Sequence, residues 1–224
     1  VGPTDYDGRL AGSFTAHPKL CPITGEMLGF GYSMMEPYLR YLRVSADGQL
    51  VQTEEITVGG PTMMHDFNVT EHHVIFMDLP AVFDLELALK GELPITWSDD
   101  YPARLGVMPR TGTDADVVWY EIDPCYVFHP MNSYESDGRI VLDVARLPHI
   151  WRDGPMDFPE PALHRWTIDT EGGTVHEEQL DDLPAEFPRV PDARVGLEHR
   201  FGYMMANAAE EAFSDPSSAV GAIL

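Results

Sequence analysis

The chain has 224 residues and a formal net charge of −23, because 37 Asp and Glu outnumber 14 Lys and Arg. Such a charge opposes nucleic-acid backbones, so we expect no nucleic-acid partner. The four Trp, nine Tyr and ten Phe can form a hydrophobic core, which excludes a disordered acidic segment. No apolar run approaches the ~20 residues of a transmembrane helix. Cys21 and Cys125 form no CxxC pair and predict unpaired thiols in a reducing compartment, the cytoplasm.

Short β-type runs alternate with turn signals along the chain. Three hairpins are predicted around Gly-containing turns: residues 38–44 with 50–58, 126–134 with 139–145, and 163–168 with 174–180. Further strands are predicted at residues 73–79, 104–109, 117–122 and 200–205. Short helices are predicted at residues 80–89 and 206–213.

This succession of strands predicts an all-β protein, as a sandwich, a barrel or a propeller. No fixed sequence period supports a regular repeat such as WD40. Neither end of the chain stops at a recognisable terminal element. We therefore expect residues 1–224 to be one incomplete domain, truncated at both ends.

Three of the nine histidines, His17, His65 and His129, lie within or beside apolar, strand-like stretches. Burying an imidazole without a partner costs about 1–3 kcal/mol, so each ring needs a hydrogen bond or a metal. Neutral imidazoles from different strands can converge on Fe, Zn, Cu or Ni. Separate core histidines, each bonded to backbone, are the alternative. The spacing matches no local metal motif, so the residues alone leave both interpretations open.

Four sequence blocks contain or follow these histidines. They are TAHPKLCPITGEM at residues 15–27, MMHDFNVT at 63–70, FHPMNSYESDGRIVLD at 128–143, and residues 186–203, which begin EFPRV. In order and approximate spacing, the blocks resemble those of the carotenoid cleavage oxygenases. The resemblance extends over nearly the whole chain, and four ordered blocks are far more specific than any one of them.

The resemblance implies part of a seven-bladed β-propeller, roughly its central blades, with one Fe(II) on the axis held by four histidines. His17, His65 and His129 fall on three of the ligand positions, and the fourth belongs to a C-terminal block that this chain does not contain. Glu186 falls where a carboxylate accepts the free ring N–H of a ligand, His129. Glu135 is a second candidate for such a role, because residues 129 and 135 share a face of a regular strand. It is the weaker one, because a bend at Pro130 would break that register.

The resemblance also implies the chemistry. An Fe(II) dioxygenase with O2 as cosubstrate would cleave a C=C bond of a small hydrophobic conjugated substrate, giving two carbonyl products. An apocarotenoid and a stilbene are both candidates, with a lean towards the microbial lignostilbene-cleaving branch. Four apolar residues flank the proposed ligands and are candidates for a substrate tunnel or for ordinary core packing: Met64, Phe67, Phe128 and Met131.

Two other functions are compatible with the sequence. One is an alkene isomerase that uses the same iron site, whose product has the mass of its substrate. The other is a non-catalytic propeller module with structural histidines, which needs no iron. We expect this segment to be inactive without the rest of the propeller, because isolated blades expose unpaired sheet edges.

Overall fold

Successive strands of the chain form antiparallel sheets, each built largely from neighbours in sequence. This computed structural model describes residues 2–206 and the backbone of residues 221–223. The first sheet contains β1 (Lys19–Leu20), β2 (Met27–Tyr32), β3 (Leu39–Val44) and β4 (Leu50–Ile56).

The second sheet is interrupted by a small insertion. It begins with β5 (Asn68–Val69) and β6 (His73–Asp78). The insertion consists of β7 (Ala81–Phe83), the helix α1 (Leu85–Lys90) and β8 (Ile95–Trp97). The sheet is completed by β9 (Arg104–Pro109) and β10 (Val118–Glu121), and its order is β10-β9-β6-β5.

Two more sheets follow. The third contains β11 (Tyr126–Ser136), β12 (Arg139–Leu147), β13 (Ala162–Asp169) and β14 (Thr174–Gln179). The fourth contains β15 (Ala185–Arg189), β16 (Tyr203–Ala206) and β17 (Gly221–Ile223). Within the described part of the chain, every helix is too short or too polar to traverse a lipid bilayer.

The predicted all-β architecture and its three hairpins are confirmed. The turn between β11 and β12 has the geometry that its Asp-Gly sequence predicts. Asp137 and Gly138 both have positive φ, 51° and 75°, as the two central residues of a type I′ hairpin turn require.

The helix predicted at residues 80–89 is wrong in its first half. Residues 81–83 form β7, and the helix begins only at Leu85, where the Asp84 side chain accepts hydrogen bonds from two backbone amides of the first turn. The helix predicted at 206–213 lies outside the described residues, except that position 206 ends β16. No strand was predicted at six short strands, β1, β5, β7, β8, β15 and β17, or at the longer β2.

The core lies between neighbouring sheets, as in a stack of propeller blades. Alternate residues of β6 face opposite sides of their sheet. Val74 and Phe76 join a cluster with residues of the first sheet, whereas Ile75 and Met77 join a cluster with residues of the third. A further cluster, which includes Met131 and Met204, connects the third and fourth sheets. Both faces of the second and third sheets are therefore buried against neighbours.

This packing gathers the first strands of the sheets. Strand β11 contacts both β5 and β15. The Ser133 hydroxyl donates a 2.7 Å hydrogen bond to the Val69 carbonyl, which ties β11 to β5. Residues on or just before β1, β5, β11 and β15 are consequently brought together from positions far apart in sequence.

A close approach inside the second sheet gives a stability prediction. Gly106 pairs with Trp119, and a Cβ at position 106 would lie 2.6 Å from the indole ring. The Arg104 guanidinium lies 4.1 Å from that ring and limits its movement. In the complete protein that contains this chain, Gly106→Ala should lower the free energy of unfolding by about 1–3 kcal/mol in urea titrations.

The control is a double-mutant cycle. Trp119→Leu removes the ring, so adding Gly106→Ala to that variant should cost clearly less than in the wild type. An equal cost in both backgrounds would contradict the proposed steric origin.

Candidate metal centre

The three histidines singled out in the sequence lie together in the structure. His17 stands two residues before β1, His65 stands three before β5, and His129 lies within β11. Their ring centroids are 4.8, 5.0 and 5.1 Å apart, so the rings form a nearly equilateral triangle. One nitrogen from each ring lies within 4.8 Å of the others.

The donor set fits a metal ion. The Nε2 atoms of His17 and His65 are 3.0 Å apart, a separation at which two lone pairs repel unless a proton or a cation lies between them. The ring planes are inclined to one another by 47°, 80° and 89°, so the three rings meet in different orientations. Three imidazoles and no carboxylate make a neutral donor set, suited to a transition-metal ion such as Fe, Zn, Cu or Ni.

Electrostatics favours the neutral form of two of these rings. Burial, helped by the neighbouring histidines and Lys19, lowers the pKa of His65 to about 4. Burial likewise lowers the pKa of His17. A neutral imidazole keeps the lone pair that a metal requires.

Glu186 lies behind the third ring. Its Oε2 accepts a 2.9 Å hydrogen bond from Nδ1 of His129. Because a carboxylate can only accept, Nδ1 carries the proton and Nε2 keeps its lone pair. The carboxylate therefore fixes both the tautomer and the direction of the ring.

An ion pair joins the segments that carry the other two histidines. Lys19 Nζ lies 2.8 Å from each carboxylate oxygen of Asp66, which is only 3% exposed. Burial raises the pKa of Asp66, and the lysine opposes that shift. Since Lys19 is two residues from His17 and Asp66 follows His65, the pair sets the spacing of the two segments.

Comparison with known proteins identifies the family. Residues 1–222 match the family model described as retinal pigment epithelial membrane protein. The chain belongs to this family, the carotenoid cleavage oxygenases.

Curated relatives include a carotenoid cleavage oxygenase of Mycobacterium tuberculosis, 37% identical over 91% of this chain and 50% of that protein. Resveratrol cleavage oxygenase 1 of Aspergillus fumigatus is 37% identical over 90% of this chain and 44% of its own length. The chain spans about half the length of the curated relatives it matches.

Solved structures of the family share the fold. Lignostilbene dioxygenase of Pseudomonas brassicacearum superposes with a TM-score of 0.83 at 32% identity, covering 94% of this chain and 47% of that one. Cobalt-substituted ACO of Synechocystis gives a TM-score of 0.78 at 25% identity, covering 99% and 49%. The chain therefore has the fold of about half of the carotenoid oxygenase β-propeller.

A cavity of about 590 Å³ adjoins two of the histidines. Its walls are residues of all four first strands and their flanking loops, and His17 and His129 are among them. Met131, one of the four tunnel candidates, lines this cavity, and so does Phe187.

The other tunnel candidates have different surroundings. Met64 and Phe67 are buried in the core between the first and second sheets, which favours ordinary packing for both. Phe128 is half-buried and lies edge-on to the His65 ring at 5.2 Å. It also stacks on Phe158 at 5.4 Å and meets Trp151 at 6.2 Å, so it forms an aromatic wall beside the histidines.

The prediction that Glu135 supports a ring of the histidine cluster is wrong. Its carboxylate accepts hydrogen bonds from Nδ1 of His73 at 3.0 Å, from the hydroxyl of Thr70 and from the backbone amide of His72. Register shifts around Pro130 interrupt the pairing of β11 with β12. The simple alternation that placed residues 129 and 135 on one face therefore does not hold.

The sequence analysis missed two features of the site. The Lys19–Asp66 pair could have been found, because oppositely charged residues flank two of the proposed ligands. Phe187, whose ring lies 4.9 Å from that of His129, carries no such signal. A phenylalanine within a strand normally indicates packing.

Removing the acceptor behind His129 tests the site. In the complete protein, Glu186→Gln should weaken metal binding by roughly 10–100-fold, because an amide cannot hold the ring N–H as a carboxylate does. Isothermal titration with Co²⁺ measures the affinity, and Glu178→Gln, on an exposed position of β14, is the matched control. Unchanged affinity in Glu186→Gln would remove this carboxylate from the site.

Glu135 generates a pH-dependent stability prediction. Burial alone would raise its pKa, but the hydrogen bonds from His73, Thr70 and His72 outweigh it and lower the pKa to about 2. A carboxyl whose folded-state pKa is depressed stabilises the fold above its unfolded-state pKa, about 4.5 here, and loses that contribution as the pH falls to about 2.

The corresponding variant is Glu135→Gln in the complete protein. At pH 7 it should lower the free energy of unfolding by about 1.5–3 kcal/mol, the usual size for hydrogen bonds to a charged group. The deficit should shrink between pH 5 and pH 2, whereas Glu171→Gln, at an exposed turn, should show neither effect. A deficit that is independent of pH would contradict the assignment.

Proposed function

We propose that the complete protein containing this chain is a non-haem Fe(II) dioxygenase that cleaves a C=C bond of a conjugated substrate. The observation that carries the proposal is the convergence of three histidine rings, with Nε2 of His17 and His65 3.0 Å apart and Glu186 behind His129. The names of the relatives, carotenoid and resveratrol cleavage oxygenases, support the same reaction class.

In this proposal His17, His65 and His129 hold one Fe(II) through their Nε2 atoms, and a fourth histidine comes from another part of the complete protein. Bound Fe(II) supplies the redox centre at which O2 is activated beside the alkene. Both oxygen atoms enter the substrate, one on each former alkene carbon, so the products are two carbonyl compounds and no external reductant is consumed.

The protein's own residues provide orientation and a dry environment. Glu186 holds the proton on Nδ1 of His129 and so keeps Nε2 free for the metal. Phe128, with Trp151 and Phe158, supplies an apolar wall beside His65 against which a conjugated chain can lie. Such a wall excludes water from the reacting bond.

The substrate proposed is a small hydrophobic conjugated molecule, an apocarotenoid or a stilbene. Relatives named for carotenoid cleavage and for resveratrol and lignostilbene oxidation lie at similar levels of identity, so both classes belong to the proposal. The relatives' names favour cleavage over alkene isomerisation. Cys21 and Cys125 are buried and unpaired, and the cytoplasmic location inferred from them stays a prediction.

A single-residue variant separates the catalytic proposal from a binding module. In the complete protein, His65→Ala should lose bound iron and cleavage together, because two remaining rings from this chain cannot enclose the ion. Iron is measured by elemental analysis, and products formed under ¹⁸O2 by mass spectrometry. His176→Ala, at an exposed position of β14, should retain both properties.

The proposed reaction also predicts the number of products and their isotope label. Two carbonyl fragments, each labelled with one ¹⁸O, are expected, provided that they are analysed before exchange with water. A single product of unchanged mass would indicate the isomerase. Wild-type protein that binds no iron would indicate the non-catalytic module.

A further inference from the structure

Phe187 has a backbone conformation that bulky side chains avoid. Its φ is 52°, in the left-handed region, where a non-glycine residue is strained. It follows Glu186 within β15, and the pairing of β15 with β16 has a register shift between Glu186 and Arg189. The chain therefore bulges at Phe187, directly beside the histidine cluster.

The strained backbone aims two groups of Phe187 at the same pair of residues. Its amide N–H donates to Oε2 of Glu186, the oxygen that also accepts from Nδ1 of His129. Its ring lies over the His129 ring, with centroids 4.9 Å apart and an interplanar angle of 34°. The amide therefore contacts Glu186 and the ring contacts His129, so Phe187 touches both members of the hydrogen-bonded pair.

Ordinary packing does not account for this arrangement. The Phe187 side chain is 57% exposed and lines the cavity beside His17 and His129. Because Phe187 buries little apolar surface, hydrophobic burial offsets little of the free-energy cost of its positive φ. Strained backbone persists where the surrounding structure fixes it, and it concentrates at functional sites.

We propose that Phe187 is a positioning residue that clips His129 against Glu186. The clip holds the Glu186 carboxylate in place, shields the Nδ1–H···Oε2 hydrogen bond from water in the cavity, and keeps Nε2 of His129 directed at His17 and His65. The inference rests on the proposed metal centre. Phe187, a residue with strained backbone, keeps one of the proposed ligands, His129, rigid.

The test compares three variants of the complete protein. Phe187→Gly removes the ring and relieves the strained φ, because glycine adopts positive φ freely. Phe187→Trp keeps an aromatic ring over His129. Phe201→Gly is the matched control, since Phe201 is also about half-exposed and does not line the cavity.

The first readout is the dissociation of Co²⁺ from the loaded protein, followed by visible absorption during competition with a chelator. Phe187→Gly should release cobalt about 10-fold faster than the wild type, the lower end of the effect of losing a partner of a ligand. Its melting temperature should stay within about 2 °C of the wild type, since little packing is lost. Phe187→Trp and Phe201→Gly should release cobalt at the wild-type rate. A wild-type rate in Phe187→Gly, or faster release matched by Phe201→Gly, would overturn the clip.

The second readout needs no metal and so separates failure of the clip from failure of the metal centre. In metal-free protein with ¹⁵N-labelled histidine, NMR measures exchange of the His129 Nδ1 proton with water. Phe187→Gly should speed this exchange about 10-fold, whereas Phe187→Trp should not. If the wild type binds no cobalt, the metal centre is overturned and this exchange rate alone decides whether the clip exists; equal rates in Phe187→Gly and wild type would overturn it.

Discussion

Two imidazole nitrogens that both carry lone pairs repel each other at 3.0 Å, and the site depends on how the fold keeps the Nε2 atoms of His17 and His65 that close. A proton on one Nε2, donated to the lone pair of the other, relieves the repulsion between neutral rings, and a metal cation bound by both lone pairs relieves it when each ring carries its proton on Nδ1. Burial lowers the pKa of both rings, so the neutral form that a metal requires is favoured over imidazolium. The His129 ring completes the triangle. Glu186 holds the proton on Nδ1 of this ring, so that Nε2 keeps its lone pair.

The fold supplies this closeness through packing between sheets rather than through local sequence. Each ligand segment enters or precedes the first strand of its own sheet, and the apolar clusters between sheets set how near those strands come. Polar contacts then fix the positions of individual segments. The Lys19–Asp66 pair joins the segments of His17 and His65, and Ser133 joins β11 to β5. The energy that holds the site together is therefore mostly hydrophobic burial, while ion pairs and hydrogen bonds determine direction.

The features that could be predicted from the sequence are the strands and turns that recur along the chain. Alternating strands and Gly-containing turns predicted the hairpins, and the family resemblance grouped His17, His65, His129 and Glu186, which lie together in the structure. Sequence reasoning failed where geometry departs from regular strands. The bulge around Pro130 directs Glu135 to His73, and the left-handed φ of Phe187 places a ring over His129. Pro130 is a residue-type signal for the first departure, because proline cannot donate to the ladder and marks bulges, whereas no residue-type signal marks the left-handed φ of Phe187.

Anomalous diffraction at the iron K edge, from crystals of the iron-loaded complete protein, locates any bound iron. One strong anomalous peak is expected at about 2.1 Å from Nε2 of His17, of His65 and of His129, the bond length usual for an imidazole on a divalent transition metal. The absence of a peak inside the triangle, or iron bound at other residues, would contradict the metal centre and the dioxygenase chemistry that depends on it.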